Sequence, residues 1–422
     1  MLRQHTAEYV ARHSPPLRVR SVLAQLHLCR TAALGGQRLE CTCCGQQHAV
    51  YHSCGQRHCP LCRGAARADW QQRMQQSLLP TAYFQGVFTL PRQLSPLTLG
   101  NRRVIYNLLM QSAAAAFRQR MAQERGIDAA PQLVLHTWDQ RLEAHPHVHL
   151  LHPAGGLSLD GTRWIECPRI QSGKLRGKLY LVDNRQLSHC FRDKFLRVLE
   201  RLHRRGDLKL TGTWAYLLNP SAWQAFVDSL RQQDWVVYLQ PPPSQDAEAE
   251  NLLKYLARYV TGGPISDARL ISHENGEVTF WARDKSKTGQ RVPVRLSGVE
   301  FVRRWSLHIL PAGFHRVRYY GGLHPSRRAA YLARCRELLA ERSSGEAASL
   351  EAACTSPSQA SDPPRDESTE PGPEATARAQ TLPGVCPSCG GQLRVVWQRY
   401  ERSWSDVQAA GLFPDWYLPN GL

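Results

Sequence analysis

Residues 133–156 read LVLHTWDQRLEAHPHVHLLHPAGG and contain the central histidine motif of the chain. Pro146 and the β-branched Val148 favour a strand over a helix here. On a strand, His147 and His149 point to the same face, about 7 Å apart along the backbone, because side chains alternate. Two imidazoles so placed can bind one metal ion. The alternative is a surface strand that is merely rich in histidine.

The sequence around this stretch alternates between strand-like and helix-like patterns. Residues 83–91 (YFQGVFTLP) have the composition of a strand, whereas residues 101–124 (NRRVIYNLLMQSAAAAFRQRMAQE) carry apolar side chains at helical spacing. The mixture continues to about Leu339. We therefore predict an α+β domain over residues 76–342.

A later segment, residues 250–260 (ENLLKYLARYV), predicts a helix that stops at a Thr-Gly-Gly-Pro sequence. Tyr255 and Tyr259 are four residues apart, which puts both phenols on one helix face about 5–6 Å apart at Cβ. They either form the aromatic edge of a core-packing helix or share one reaction centre. Lys254 and Arg258 lie on the neighbouring face and could contact phosphate.

Six of the thirteen cysteines crowd into residues 41–62. Cys41-x-x-Cys44 and Cys59-x-x-Cys62, fourteen residues apart, have the spacing of a four-cysteine structural zinc site. These four are the predicted zinc ligands, in a DNA-recognition module of residues 1–75. The alternative is a set of buried cysteines that pack as small hydrophobes. Further donors could replace one of the four or allow a second ion: Cys43, His48, His52, Cys54 and His58.

The C-terminal region has a different composition. Residues 343–382 are rich in Ser, Pro, Glu and Ala, with seven acidic and two basic side chains, and predict a disordered linker. Residues 383–422 predict a short tail, at most a small appendage. The tail contains the sequence CPSCGG, in which Cys386 and Cys389 form one Cys-x-x-Cys turn of the kind called a zinc knuckle. The knuckle could be half of a zinc site completed by another segment or subunit, a redox pair or a degenerate remnant.

The charge of the chain favours a polyanionic partner. Lys and Arg total 53 against 35 Asp and Glu, which gives +18 and a pI near 9.6, and nucleic acid is the commonest partner of such a surplus. The chain lacks an apolar run of the ~18 residues that a membrane span needs, and its N-terminus lacks the apolar core of a secretory signal. We therefore expect no membrane partner and a location in a reducing cytoplasm or nucleoid. The residues predicted to contact DNA are Lys254, Arg258, Lys285, Lys287, Arg316 and Arg318.

Together these motifs resemble the HUH transposases with two catalytic tyrosines, the rolling-circle type of bacterial insertion-sequence transposase. The resemblance covers residues 51–64, 83–91, 133–164, 233–242, 254–266 and 310–323. It implies an N-terminal zinc-binding domain joined to a catalytic domain built on an antiparallel sheet of the HUH type with flanking helices.

The resemblance also implies a reaction. His147 and His149 would hold Mg²⁺ or Mn²⁺, and Tyr255 and Tyr259 would nick and rejoin single-stranded DNA at element ends through 5′-phosphotyrosine intermediates. Gln140 is our predicted third ligand, because the HTWDQ and HPHVH strands could form a hairpin that brings it near the imidazoles.

Alternatives remain for both the ligand and the function. Asp139, Glu143 and His136 are rival third ligands. A zinc-dependent DNA-binding regulator without cleavage activity, and a hydrolase whose histidines activate water through a metal, are rival functions.

Overall fold

The computed structural model describes residues 1–62, 70, 72, 74–172, 176–242, 262–284, 289–353, 384–399 and 402–417. The α-helices are α1 Leu2–His13, α2 Leu17–Leu28, α3 Leu94–Gly100, α4 Arg102–Arg125, α5 Asn184–Arg204, α6 Pro220–Gln232, α7 Gly298–Ser306, α8 Arg328–Ala353 and α9 Trp404–Ala409. The strands are β1 Gly36–Cys41, β2 Gln47–Tyr51, β3 Tyr83–Thr89, β4 Gln132–Trp138, β5 Ala144–Pro153, β6 Gly155–Leu157, β7 Trp164–Glu166, β8 Val237–Gln240, β9 Leu270–Glu274, β10 Glu277–Arg283, β11 Arg291–Ser297, β12 Val317–Tyr319 and β13 Leu393–Arg399. Among these residues, no helix is both long and apolar enough to cross a membrane.

A five-stranded sheet in the order β12-β4-β5-β3-β8 forms the centre of the chain, and all neighbouring strands in it are antiparallel. Strands β4 and β5 form the predicted hairpin, with His136 opposite His147 and Val134 opposite His149. The prediction of an α+β fold with an antiparallel sheet and flanking helices is confirmed.

One face of this sheet carries the main hydrophobic core. Helices α4 and α5 cover that face, and their side chains pack against the inward-facing positions of β3, β4 and β5. Phe88 on β3, Phe117 on α4 and Phe191 on α5 are fully buried, and each contributes about 1.5–3 kcal/mol of hydrophobic free energy. Packing on this face holds the sheet in place, and the histidines of β4 and β5 lie on its opposite face.

The N-terminal module contains α1, α2 and a three-stranded sheet in the order β13-β1-β2. Strand β13 comes from the C-terminal segment and pairs with the whole of β1, from Gly36 to Cys41. The expectation that the last forty residues form at most an appendage is therefore wrong, because their backbone completes the sheet of the N-terminal module.

Helix α8 continues to Ala353, past residue 343 where the sequence predicted a linker to begin. Its first part packs on the central domain through the buried Tyr331, Leu332 and Cys335. The remainder of the predicted linker, residues 354–382, lies outside the described residues.

Candidate functional site

Three histidines meet on the face of the central sheet opposite the main core. His136 projects from β4, and His147 and His149 project from β5. The antiparallel register places His136 directly across from His147, and alternation along β5 returns His149 to the same face. One ring nitrogen of each residue lies within 4.8 Å of the others, so the three can hold one metal ion.

The three rings are held by their neighbours. The centroids of His136 and His149 are 4.4 Å apart, and those of His147 and His149 are 5.0 Å apart. The ring of Trp138 stacks on His136 at 4.6 Å. His147 Nδ1 donates to the carbonyl oxygen of His145 at 2.8 Å. In that tautomer Nε2 of His147 carries the lone pair that binds a metal.

The surroundings of His149 favour its neutral form. Burial is the larger cause and the positive charge of Arg316 the smaller, and together they lower the pKa of His149 to about 4. A neutral imidazole is the form that binds a metal, so His149 is ready to bind at neutral pH.

Gln140 lies in the exposed turn between β4 and β5, beyond the end of β4 at Trp138. Its backbone carbonyl accepts a hydrogen bond from Arg269. The structure thus brings His136, a rival in the sequence prediction, into the cluster with His147 and His149, because it lies opposite His147 in the hairpin.

The two acidic rivals have other partners. Asp139 Oδ1 accepts from the backbone N–H groups of Arg141, at 2.8 Å, and Glu143, at 2.9 Å. Its Oδ2 pairs with Arg92 at 3.1 Å, and Glu143 pairs with Arg304 at 3.5 Å. The Asp139 carboxylate thus closes the hairpin turn, whereas the Glu143 carboxylate links the hairpin to α7.

Arg316 connects the histidine cluster to the segment that carries the tyrosines. Its guanidinium lies over the ring of Trp138, 5.7 Å from the centroid, and Nη1 donates to the carbonyl oxygen of Gly262 at 3.0 Å. Gly262 is the first described residue after the tyrosine segment. The predictions for the following residues lie outside the described part of the chain: Tyr255, Tyr259, Lys254, Arg258, Lys285 and Lys287.

Arg318, another predicted DNA contact, points to the opposite face of the sheet from the histidines. Its Nη2 donates to Asn107 Oδ1 at 2.6 Å, and its guanidinium lies 4.8 Å from the ring centroid of Phe314. This position links β12 to α4.

An open cleft lies beside Trp138, the residue whose ring stacks on His136. Trp138 and Arg316 line it from the central sheet, Gly262 from the chain after the tyrosine segment, and Arg57 and His58 from the N-terminal module. The N-terminal module and the central domain therefore both contribute residues to the wall of the cleft.

The first cysteine cluster joins Cys29, Cys54, Cys59 and Cys62. Cys62 Sγ lies 3.5 Å from Cys29 Sγ and 3.6 Å from Cys54 Sγ. Four thiolates around zinc, each about 2.3 Å from the ion, lie about 3.8 Å apart, so the set fits a structural zinc site. Cys29 was not among the predicted ligands because it precedes the crowded segment.

The second cysteine cluster joins Cys41 and Cys44 to Cys386 and Cys389. The prediction that Cys41, Cys44, Cys59 and Cys62 share one ion is therefore corrected. Cys41 and Cys44 lie at the turn between β1 and β2, whereas Cys59 and Cys62 follow the far end of β2. Five strand residues span about 17 Å, too far for one ion to bind both pairs.

The spare histidines of this segment have structural contacts. His58 Nε2 accepts from the backbone N–H of Leu310 at 3.4 Å, which attaches the N-terminal module to the central domain. His52 Nε2 binds the carbonyl oxygen of Arg399 at 3.0 Å, and His48 Nε2 lies 3.6 Å from Cys386 Sγ. The repeated Cys-x-x-Cys-Gly of residues 41–45 and 386–390 is the sequence signal that relates the two knuckles.

Comparisons with known proteins match both the N-terminal module and the central domain. Residues 132–330 match the family model described as "Putative transposase", and residues 1–90 match the one described as "Transposase zinc-binding domain". The chain is 38% identical over 342 residues to "Putative transposase y4qJ" of Sinorhizobium fredii, which covers 80% of this chain and 83% of that protein.

A second relative is more distant. The "Transposase for insertion sequence element IS801" of Pseudomonas savastanoi pv. phaseolicola is 28% identical over 298 residues, covering 70% of this chain and 68% of that protein. No solved structure matches the chain.

Proposed function

Because this chain belongs to the transposase family that carries an N-terminal transposase zinc-binding domain, we propose that it nicks and rejoins single-stranded DNA through 5′-phosphotyrosine intermediates. As a transposase it is an enzyme that acts on DNA. The proposed substrate is the end of an insertion sequence, and the proposed nucleophiles are Tyr255 and Tyr259. The proposed location of the reaction is the nucleoid.

The observation that carries this proposal is the cluster of His136, His147 and His149 on the sheet face opposite the core. Three imidazoles leave coordination positions for a phosphate oxygen and water. We propose His136 as the third ligand in place of Gln140. A bound Mg²⁺ or Mn²⁺ would polarise the scissile phosphate and stabilise the charge that develops on it, and a three-imidazole site favours Mn²⁺ of the two.

The connection through Arg316 supports the participation of the tyrosines. Its bond to Gly262 holds the chain beside Trp138, which stacks on His136. Tyr259 precedes Gly262 by three residues, which span at most about 11 Å. The length of chain between Gly262 and Tyr259 is therefore compatible with the proposed attack by Tyr259 at the histidine cluster.

The proposed reaction exchanges one phosphodiester for another. The phenol oxygen of a tyrosine loses its proton and bonds to the scissile phosphorus, while the bond from phosphorus to O3′ breaks and O3′ takes up a proton. The products are a 5′-phosphotyrosyl enzyme and a free 3′-hydroxyl. A 3′-hydroxyl that attacks this linkage reverses the step, so strand transfer requires no ATP. Two tyrosines allow one linkage at the donor and one at the target.

The N-terminal module is suited to bind the DNA beside this site. Arg57 donates to the carbonyl oxygens of Pro311, at 2.9 Å, and Phe314, so the cysteine segment is attached to the chain just before β12. With a net charge of +18, the two halves present one basic molecule to a single strand.

The test incubates the protein and Mn²⁺ with labelled single strands from both sides of its coding region and separates the products on a denaturing protein gel. We expect metal-dependent label at the mass of the protein, lost only when Tyr255→Phe and Tyr259→Phe are combined. Tyr238→Phe is the matched control, because Tyr238 is an exposed tyrosine on edge strand β8.

The other outcomes each favour a rival function. Cleavage without label on the protein would favour the hydrolase, and salt-sensitive binding without cleavage would favour the DNA-binding regulator.

A further inference from the structure

We propose that Cys41, Cys44, Cys386 and Cys389 bind a zinc ion of their own, which fastens the C-terminal segment to the N-terminal module of the same chain. The matched zinc-binding domain ends at residue 90, so half of this site lies outside it. The inference does not depend on the cleavage chemistry proposed above.

The sulfur positions fit a tetrahedral ion. Cys41 Sγ lies 3.4 Å from Cys389 Sγ, and Cys44 Sγ lies 3.8 Å from Cys386 Sγ. The spacing expected for thiolates around zinc is about 3.8 Å. Each pair joins one sulfur from the N-terminal segment to one from the C-terminal segment, so a bound ion would link the two.

The two knuckles have the same backbone turn. Gly45 N–H donates to the carbonyl oxygen of Cys41 at 3.0 Å, and Gly390 N–H donates to that of Cys386 at 2.8 Å. Both glycines have positive φ, +69° and +74°, a conformation that favours glycine. Two equal turns facing each other are the arrangement that presents four sulfurs to one ion.

The backbone holds the thiolates in place. The N–H groups of Cys43 and Cys44 point to Cys41 Sγ at 3.4 and 3.5 Å, which stabilises a thiolate there. Gly391 passes so close that a Cβ at this position would lie 2.9 Å from Cys41 Sγ and 2.7 Å from Cys43 Cβ. The site therefore tolerates only glycine at this point.

The C-terminal segment reaches the module at a second place. Strand β13 pairs with β1, and residues 402–417 pack against α2 through the fully buried Val407. Trp416 contacts His27 of α2, with ring centroids 6.0 Å apart. Strand β13 and helix α9 both follow the knuckle of Cys386 and Cys389 in sequence, and both pack on the N-terminal module. A bound metal would therefore hold a segment whose position these contacts already define.

The two cysteine clusters differ in exposure. Cys29, Cys54 and Cys59 of the first cluster are buried, whereas Cys44 and Cys389 of the second are exposed. A chelator should therefore remove the second ion first.

The first measurement is the zinc content of the purified full-length chain, with and without Cys386→Ser combined with Cys389→Ser. We expect about two zinc ions per chain to fall to about one. Cys43→Ser is the matched control, since Cys43 is an exposed cysteine outside both clusters, and it should keep both ions. An unchanged zinc content in the double variant, or loss of an ion in Cys43→Ser, would overturn the assignment.

Gly391→Ala provides a variant that keeps all four sulfurs. Its added Cβ should make the second ion leave at least tenfold faster in a competing chelator, while the first ion leaves at the original rate. Equal release of both ions in this variant and in the parent protein would contradict the proposed geometry.

The second measurement asks whether the ion fastens the segment of the same chain. A protease site is inserted between residues 370 and 371, the protein is cut, and gel filtration with light scattering gives the mass. We expect one monomer from which the C-terminal fragment dissociates only after chelation. Arg394→Ala, which removes an exposed ion pair with Glu40, should leave the fragment bound. Release without chelation, or a zinc-dependent dimer, would refute the intrachain link.

Discussion

The histidine cluster and the second cysteine cluster are both candidate metal sites, yet they are assembled in opposite ways. His136, His147 and His149 come from one hairpin, so the register of β4 and β5 alone brings them together. Cys41 and Cys389, by contrast, are 348 residues apart in sequence. A local site needs only a strand pair, whereas a distant site needs a tertiary structure that closes a long loop.

The two sites also differ in what stabilises them. The hairpin has a hydrophobic core behind it and a turn held by Asp139, so its geometry does not require the metal. The cysteine clusters lie in a small module, where a structural metal contributes directly to folding. Variants at the two kinds of site should therefore affect stability and metal binding differently.

Cys59→Ser should have the largest effect on stability. Cys59 is buried in the first cysteine cluster, and a structural zinc site contributes on the order of 10 kcal/mol to folding. We expect the variant to lose one zinc ion and to show early, separate unfolding of the N-terminal module by calorimetry. Cys190→Ser is the control, because Cys190 belongs to neither cluster. A variant with full zinc content and an unchanged melting temperature would show that this cluster is not a metal site.

His136→Ala should weaken Mn²⁺ binding by about 100-fold or more, since it removes one of three imidazole ligands, while the melting temperature changes little without metal. Gln140→Ala is the matched comparison and should bind Mn²⁺ like the parent protein. Isothermal titration calorimetry measures both. The reverse result, with Gln140→Ala defective and His136→Ala normal, would restore the ligand that the sequence first indicated.

His308 provides a smaller, pH-dependent test of the hairpin. Burial lowers its pKa to about 4, and its ring contacts Thr137 Oγ1 and the carbonyl oxygen of Leu142, each at 3.1 Å. The unfolded chain therefore binds a proton near pH 6.5 that the folded chain does not accept until about pH 4. Stability should fall as the pH drops through this interval, by about 1.4 kcal/mol per pH unit from this residue.

The measurement compares urea unfolding of the parent protein and His308→Gln from pH 7 to pH 4.5. The free energy of unfolding should depend less steeply on pH in the variant, by about 1.4 kcal/mol per pH unit. Identical slopes would mean that His308 accepts its proton equally well in both states.

Much of the central fold could be predicted from the sequence because its signals are local. The strand predicted at residues 83–91 is β3, and the helix predicted at residues 101–124 is α4, Arg102–Arg125. Helix α4 ends where Gly126 adopts a positive φ of 65°, as the glycine suggests. The hairpin of HTWDQ and HPHVH is confirmed as well.

The ligand sets were harder to predict, for a geometric reason. Gln140 was preferred from its place in the hairpin, but the strand register puts His136 opposite His147 instead. Spacing alone suggested that the two early Cys-x-x-Cys pairs share an ion, yet β2 separates them. Cys29 had no visible partner in sequence, and the knuckle of Cys386 and Cys389 had no visible second pair, because the remaining ligands lie on other segments.

Features that depend on neighbouring residues can be read from the sequence: the strand of alternating histidines, the tight Cys-x-x-Cys-Gly turns, the basic charge and the resemblance to transposases. Features that join distant segments emerge only in the folded chain: the pairing of the two knuckles, the completion of the N-terminal sheet by β13, and the contact of Arg316 with Gly262 and Trp138. The physical reason is that a knuckle is fixed by backbone conformation over a few residues. Its partner is chosen by which distant segments the folded chain packs together.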